Sequence, residues 1–145
     1  MISAGIAAER SKDCSTQVGC TIVNQDKRVV ASGYNGLCKG FSDDGGYWAK
    51  GNDDPMKNKY AFVVHAESNA LISAKKDCSG CSLYVTHMPC NECAKLIVQS
   101  GITKVVYVNE WEKGKDTSLV SKILFEKGGV VLEKYTGRTQ ITIDI

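Results

Sequence analysis

Apolar residues recur along the chain in short runs, and the period within each run predicts its element. Ile2, Ile6 and Ala7 fall on one side of a helix expected over residues 2–12. Val18-Gly19-Cys20-Thr21-Ile22-Val23 reads as a strand, Gln25-Asp26-Lys27 as a turn, and Arg28 to Tyr34 as a second strand. Together they predict a β-hairpin. Residues 35–58 carry Gly, Asp, Asn and Lys with Tyr47 and Trp48 but no period, so a long functional loop is expected.

From residue 63 the pattern is regular. His65 to Lys76 reads as a helix, with Ala66, Ala70, Leu71 and Ala74 at helical spacing, and Ser82 to His87 as a strand. Cys90 to Ser100 is a second helix, with Gly101 as its stop. Lys104 to Asn109 is a strand, Thr117 to Lys127 a helix and Val130 to Lys134 a strand, and Thr139 to Asp144 is a candidate for one more. Helices alternating with strands after a hairpin imply an α/β sandwich with a mixed sheet. Residues 1–145 are expected to form one domain, with no repeat or linker dividing them.

Composition narrows the class. The chain has 145 residues, 43% apolar and 23% charged, which is ordinary for a globular protein. A net charge of +2 does not signal a broad face for a nucleic-acid polymer, and none is expected as partner. No apolar run approaches bilayer length, and the first residues lack the basic and apolar regions of a signal peptide. A cytoplasmic location without membrane contact is therefore expected. Seven cysteines, an odd number, suit metal ligation and burial better than a disulfide scaffold.

The chemistry concentrates in His65-Ala66-Glu67 and Pro89-Cys90-Asn91-Glu92-Cys93. Cys90 and Cys93 at a helix start place two thiols within one turn, where the helix dipole favours thiolate. With His65 they form three zinc ligands, which leaves a position open for water, as in catalytic sites. Glu67, two residues after His65, suits a proton shuttle better than a fourth ligand. H-x-E followed by P-C-x-x-C is the general signature of zinc-dependent nucleobase deaminases. A purely structural zinc site would need a fourth ligand, which Cys78-Ser79-Gly80-Cys81 has the donors to supply; the pair reads more simply as an unligated turn and strand edge.

Further blocks narrow the resemblance: Arg10-Ser11-Lys12-Asp13, Gln17-Val18-Gly19, Gly33-Tyr34-Asn35-Gly36, Asn58-Lys59-Tyr60 and Gln99-Ser100-Gly101-Ile102. With them the chain resembles the deoxycytidylate (dCMP) deaminase family from about Glu9 to Ile145. The resemblance implies the cytidine deaminase-like fold, a three-layer α-β-α sandwich with a mixed five-stranded sheet. It implies hydrolysis of dCMP to dUMP for thymidylate synthesis, activation by dCTP, inhibition by dTTP and a homohexamer. By position, Asn35 would bind the deoxyribose 3′-hydroxyl, the Ala66 N–H the base O2, and Trp111 the substrate. Gly33, Tyr34, Asn35 and Gly36 would lie at the effector nucleotide, with Mg²⁺ as a second cation. Arg10 and Lys12 are candidate phosphate cations, and Lys59 flanks the same elements. Relatives usually continue with x-Pro-x-Gly where this chain has Leu37-Cys38-Lys39-Gly40. The competing readings are a zinc deaminase of another base, tRNA adenosine or guanine, and a non-catalytic zinc module. The low net charge disfavours the tRNA enzyme, and Glu67 disfavours the module.

Overall fold

A computed structural model describes residues 1–111 and 117–142. Helix α1 (Ile2–Ala8) ends earlier than its apolar period suggests. Polar side chains just beyond it bind backbone instead of continuing the helix. Ser11 Oγ donates to Asn35 O at 2.9 Å, and Asp13 Oδ1 accepts the N–H of Ser15 at 2.8 Å.

Strands β1 (Gly19–Val23) and β2 (Val29–Tyr34) form the expected antiparallel hairpin, with a register shift between Ile22 and Val23. β3 (Gly36–Leu37) and β4 (Val63–Val64) pair in a separate small ladder. Then follow α2 (Ala66–Ala74), β5 (Ser82–His87), α3 (Asn91–Gln99), β6 (Lys104–Asn109), α4 (Thr117–Lys127) and β7 (Val131–Lys134). The main sheet has five strands in the order β2-β1-β5-β6-β7. Its first two pairings are antiparallel and its last two parallel, as a mixed sheet requires. Residues 139–142 form no strand, and the end of the tail lies outside the described residues.

Two glycines layer the helices on this sheet. A Cβ on Gly19 would collide with the backbone of Ala4 and Ala8 in α1. A Cβ on Gly33 would collide with the backbone of Ala66 and Ala70 in α2. Gly33 pairs with Cys20, the neighbour of Gly19, so the two glycines point to opposite faces. Helix α1 therefore covers one face and α2 the other, giving the α-β-α sandwich. Cys20, Ile22, Leu83, Val85, Ile97, Val105 and Phe125 are fully buried between the layers. Cys78 and Cys81 are also buried in this core, on a turn closed by Cys81 N–H to Cys78 O at 3.0 Å.

The 35–58 segment is more structured than its composition suggests. Besides β3 it holds a 3₁₀ turn at Pro55–Lys57, and a second follows it at Lys59–Ala61, the side chains of Asp54 and Asn58 accepting the N–H of Met56 and Tyr60. Phe41, Tyr47 and Phe62 cluster with ring centroids 4.9 to 5.6 Å apart. These contacts are local caps and non-local ring packing, and neither leaves a period in the sequence. Among the described residues, no helix is long and apolar enough to cross a membrane.

Candidate metal centre and substrate cleft

His65 is the N-cap of α2 and Cys90 the N-cap of α3, both with extended backbone. Each follows a strand of its sheet, β4 or β5, closely enough that the two helix starts meet. His65 Nδ1 lies 3.4 Å from Cys90 Sγ and 3.4 Å from Cys93 Sγ. The three ligand atoms all fall within 4.8 Å of one another, and no other such group occurs among the described residues. Two thiols and an imidazole are donors that suit zinc. The 3.4 Å separations are close to the nitrogen–sulfur edge of about 3.6 Å that zinc bonds of about 2.1 and 2.3 Å subtend at tetrahedral angles.

The electrostatics favour a thiolate here. A hydrogen bond from Cys93, aided by His65, holds the Cys90 thiol down at about 4. The same bond and burial keep the proton on Cys93. Hydrogen bonding to Cys90 pushes His65 up against the opposing effect of burial. Glu67, only 4% exposed, sits one residue into α2 and lines the same cleft. Burial raises its carboxyl above the ordinary range, although its own backbone N–H and His65 oppose the rise.

The cleft holds about 450 Å³, a size that accepts a small organic ligand. His65, Glu67 and Cys90 line it, and Ala66 and Trp111 join them from the expected substrate contacts. As the first residue of α2, Ala66 has an N–H without a partner inside the helix. Trp111 is held by its Nε1–H donating to Met88 O at 2.7 Å. Asn35 also lines the cleft, but its amide is engaged in the fold. Oδ1 accepts the Val18 N–H at 2.8 Å, while Nδ2 donates to Thr16 O at 3.0 Å and to Asp13 Oδ2 at 3.3 Å. The second lone pair of Oδ1 is what it can offer a ligand.

The remaining expected residues divide. Arg10 is not in the lining; its guanidinium sits 5.5 Å above the Tyr34 ring. Lys12 is exposed and outside the lining. Gly33 packs on α2, and Tyr34 O accepts from Asn69 Nδ2 at 2.8 Å. Gly36 opens β3, and of this block only Asn35 reaches the cleft. Lys50, Lys59 and His87 are cleft residues instead. The signal for Lys59 was its block beside Tyr60, whereas nothing in the spacing marked Lys50 or His87.

A family model for the cytidine and deoxycytidylate deaminase zinc-binding region matches residues 1–109. The deoxycytidylate deaminase of Mus musculus is 41% identical over 146 residues, covering 99% of this chain and 82% of that protein. A probable deoxycytidylate deaminase of Drosophila melanogaster is 42% identical over 151 residues, covering 99% and 74%. The crystal structure of the cyanophage S-TIM5 dCMP deaminase in complex with dCMP and dUMP superposes with a TM-score of 0.68 at 32% identity, covering 91% and 90%.

Proposed function

From the premise that this chain belongs to the cytidine and deoxycytidylate deaminase family, we propose that it is a dCMP deaminase, releasing ammonia from dCMP to leave dUMP. The observation that carries the reading is the convergence of His65, Cys90 and Cys93 beside buried Glu67 in one cleft. His65 Nδ1 and the two thiolates would hold zinc. When bound, zinc supplies Lewis acidity that makes water nucleophilic near neutral pH.

The chain's own residues do the rest. Glu67 takes a proton from the attacking water and delivers it to the ring nitrogen N3 as C4 becomes tetrahedral. It then carries the second proton to the departing amine, so that one water enters and one ammonia leaves. Burial suits Glu67 to this exchange, because a desolvated carboxyl accepts and returns protons closer to neutrality than an exposed one. The Ala66 N–H orients the base through O2. Trp111 forms a cleft wall, and Asn35 Oδ1 can accept the sugar hydroxyl.

The same family reading covers dCTP activation, dTTP inhibition, Mg²⁺ at the effector and a homohexamer; the resemblance of the Gly33–Gly36 block supports the effector site. The test is ammonia release from dCMP, deoxycytidine, cytidine, adenosine in tRNA and guanine. Turnover concentrated on dCMP is expected, and preference for guanine or tRNA would replace the reading.

A further inference from the structure

His87 is the half-buried titratable side chain of the cleft that this chemistry leaves without a role. It ends β5, three residues before Cys90. Its ring stacks on Trp111, with centroids 4.8 Å apart and planes inclined by 30°. The indole is fixed in turn by its bond to Met88 O, so the two rings form a rigid wall.

The hydrogen bonds suit one tautomer of the ring. Thr86 Oγ1 accepts the Gly19 N–H at 3.1 Å and lies 3.2 Å from His87 Nδ1. With its hydroxyl proton directed to Nδ1, Thr86 serves at once as acceptor from Gly19 and donor to His87. Nδ1 is then the acceptor and Nε2 carries the ring N–H. Burial lowers the ring's pKa, which favours this neutral tautomer. Nε2 has no hydrogen-bond partner among the described residues, and no buried polar side-chain atom of those residues lacks one, so this N–H opens on solvent in the cleft.

Most other side-chain nitrogen donors of the cleft are engaged. Lys59 bonds both oxygens of Asp13, the Asn35 amide bonds Asp13 and Thr16, and the Trp111 N–H bonds Met88 O. Lys50 is exposed on a long flexible side chain. A nucleotide whose amine faces Glu67 must direct its phosphate away from the thiols, toward the less buried part of the cleft. A neutral ring N–H on a rigid stack meets a phosphate oxygen with little loss of side-chain freedom, and the bond is charge-assisted.

We propose that His87 Nε2–H donates to the 5′-phosphate of the bound nucleotide and sets the preference for a nucleoside monophosphate over the nucleoside. The assignment rests on the dCMP reading. The experiment measures kcat and KM for dCMP and deoxycytidine in the wild type, His87→Leu and His87→Gln. Leucine keeps an apolar surface against Trp111 and removes the donor, whereas glutamine restores an N–H. In His87→Leu the ratio of kcat/KM for dCMP over deoxycytidine should fall about tenfold, mainly through KM for dCMP. His87→Gln should recover most of that ratio. An unchanged ratio in His87→Leu overturns the proposal, including the case in which both substrates suffer equally because the Trp111 wall has loosened. If His87→Leu fails to fold, a His87→Gln ratio as low as that of an unselective enzyme overturns it. A wild type that does not turn over dCMP refutes the deaminase reading itself, and is seen before any variant is compared.

Discussion

Lys59 Nζ reaches both carboxylate oxygens of Asp13, at 2.8 and 2.6 Å, across 46 positions of sequence. Both side chains are only 5% exposed. Asp13 also accepts from Asn35 and from the N–H groups of Ser15 and Thr16, so the pair ties three segments into one cleft wall. Asp13→Asn would leave the Lys59 ammonium buried without its counter-charge. Removing one partner of a buried pair costs on the order of 3 kcal/mol, which should lower Tm by roughly 10 °C in a thermal melt.

The same pair gives an acid limb. Burial pushes the Asp13 carboxyl up, but the hydrogen bond and charge of Lys59 and the N–H groups of Ser15 and Thr16 outweigh it and leave the pKa below 3.8. A lowered folded pKa means stability that is complete above the unfolded value and is lost as pH falls through the folded one. Urea midpoints measured downward from pH 5 should therefore drop below about pH 4 in the wild type. The Asp13→Asn variant should show a shallower drop over that range.

Gly33→Ala tests the contact between β2 and α2. The added methyl meets the backbone of Ala66 and Ala70, which has no flexible end to move aside. Overpacking of this kind costs about 1–3 kcal/mol. Because His65 and Glu67 stand at the start of α2, displacing the helix should also lower bound zinc and turnover. Metal analysis and ammonia release on the purified variant check both, and full zinc occupancy with full turnover would contradict the role given to this glycine.

Glu67→Gln separates proton transfer from metal binding. The amide keeps the shape of the side chain but cannot accept the proton. Turnover should fall by about 10²- to 10⁴-fold with zinc content unchanged. Cys93→Ala should instead lose both zinc and turnover. Activity retained by Glu67→Gln would remove its assignment as shuttle.

Effector control is expected through the Gly33–Gly36 block. At low dCMP, dCTP should raise the rate and dTTP should suppress it. Saturation curves that coincide with and without both nucleotides would exclude such control in this chain.

The sequence by itself determined the zinc chemistry and the order of the regular elements. His65, Glu67, Cys90 and Cys93 lie in two short motifs at helix starts, and the three-residue spacing of Cys90 and Cys93 by itself brings two thiols together. The hairpin and the alternating strands and helices were legible because each buries one face, and burial leaves a period. Tertiary structure decided which residues line the cleft. The Asp13–Lys59 pair, the rings of Phe41, Tyr47 and Phe62, and the stack of His87 on Trp111 join residues far apart in sequence. Such contacts have no period and no fixed spacing. For the same reason Arg10 and Lys12, adjacent in sequence to Asp13, stand outside the cleft while Lys50, Lys59 and His87 line it. Side-chain direction just beyond α1 depends in part on the bond of Ser11 to Asn35 O, which forms only once β2 is in place.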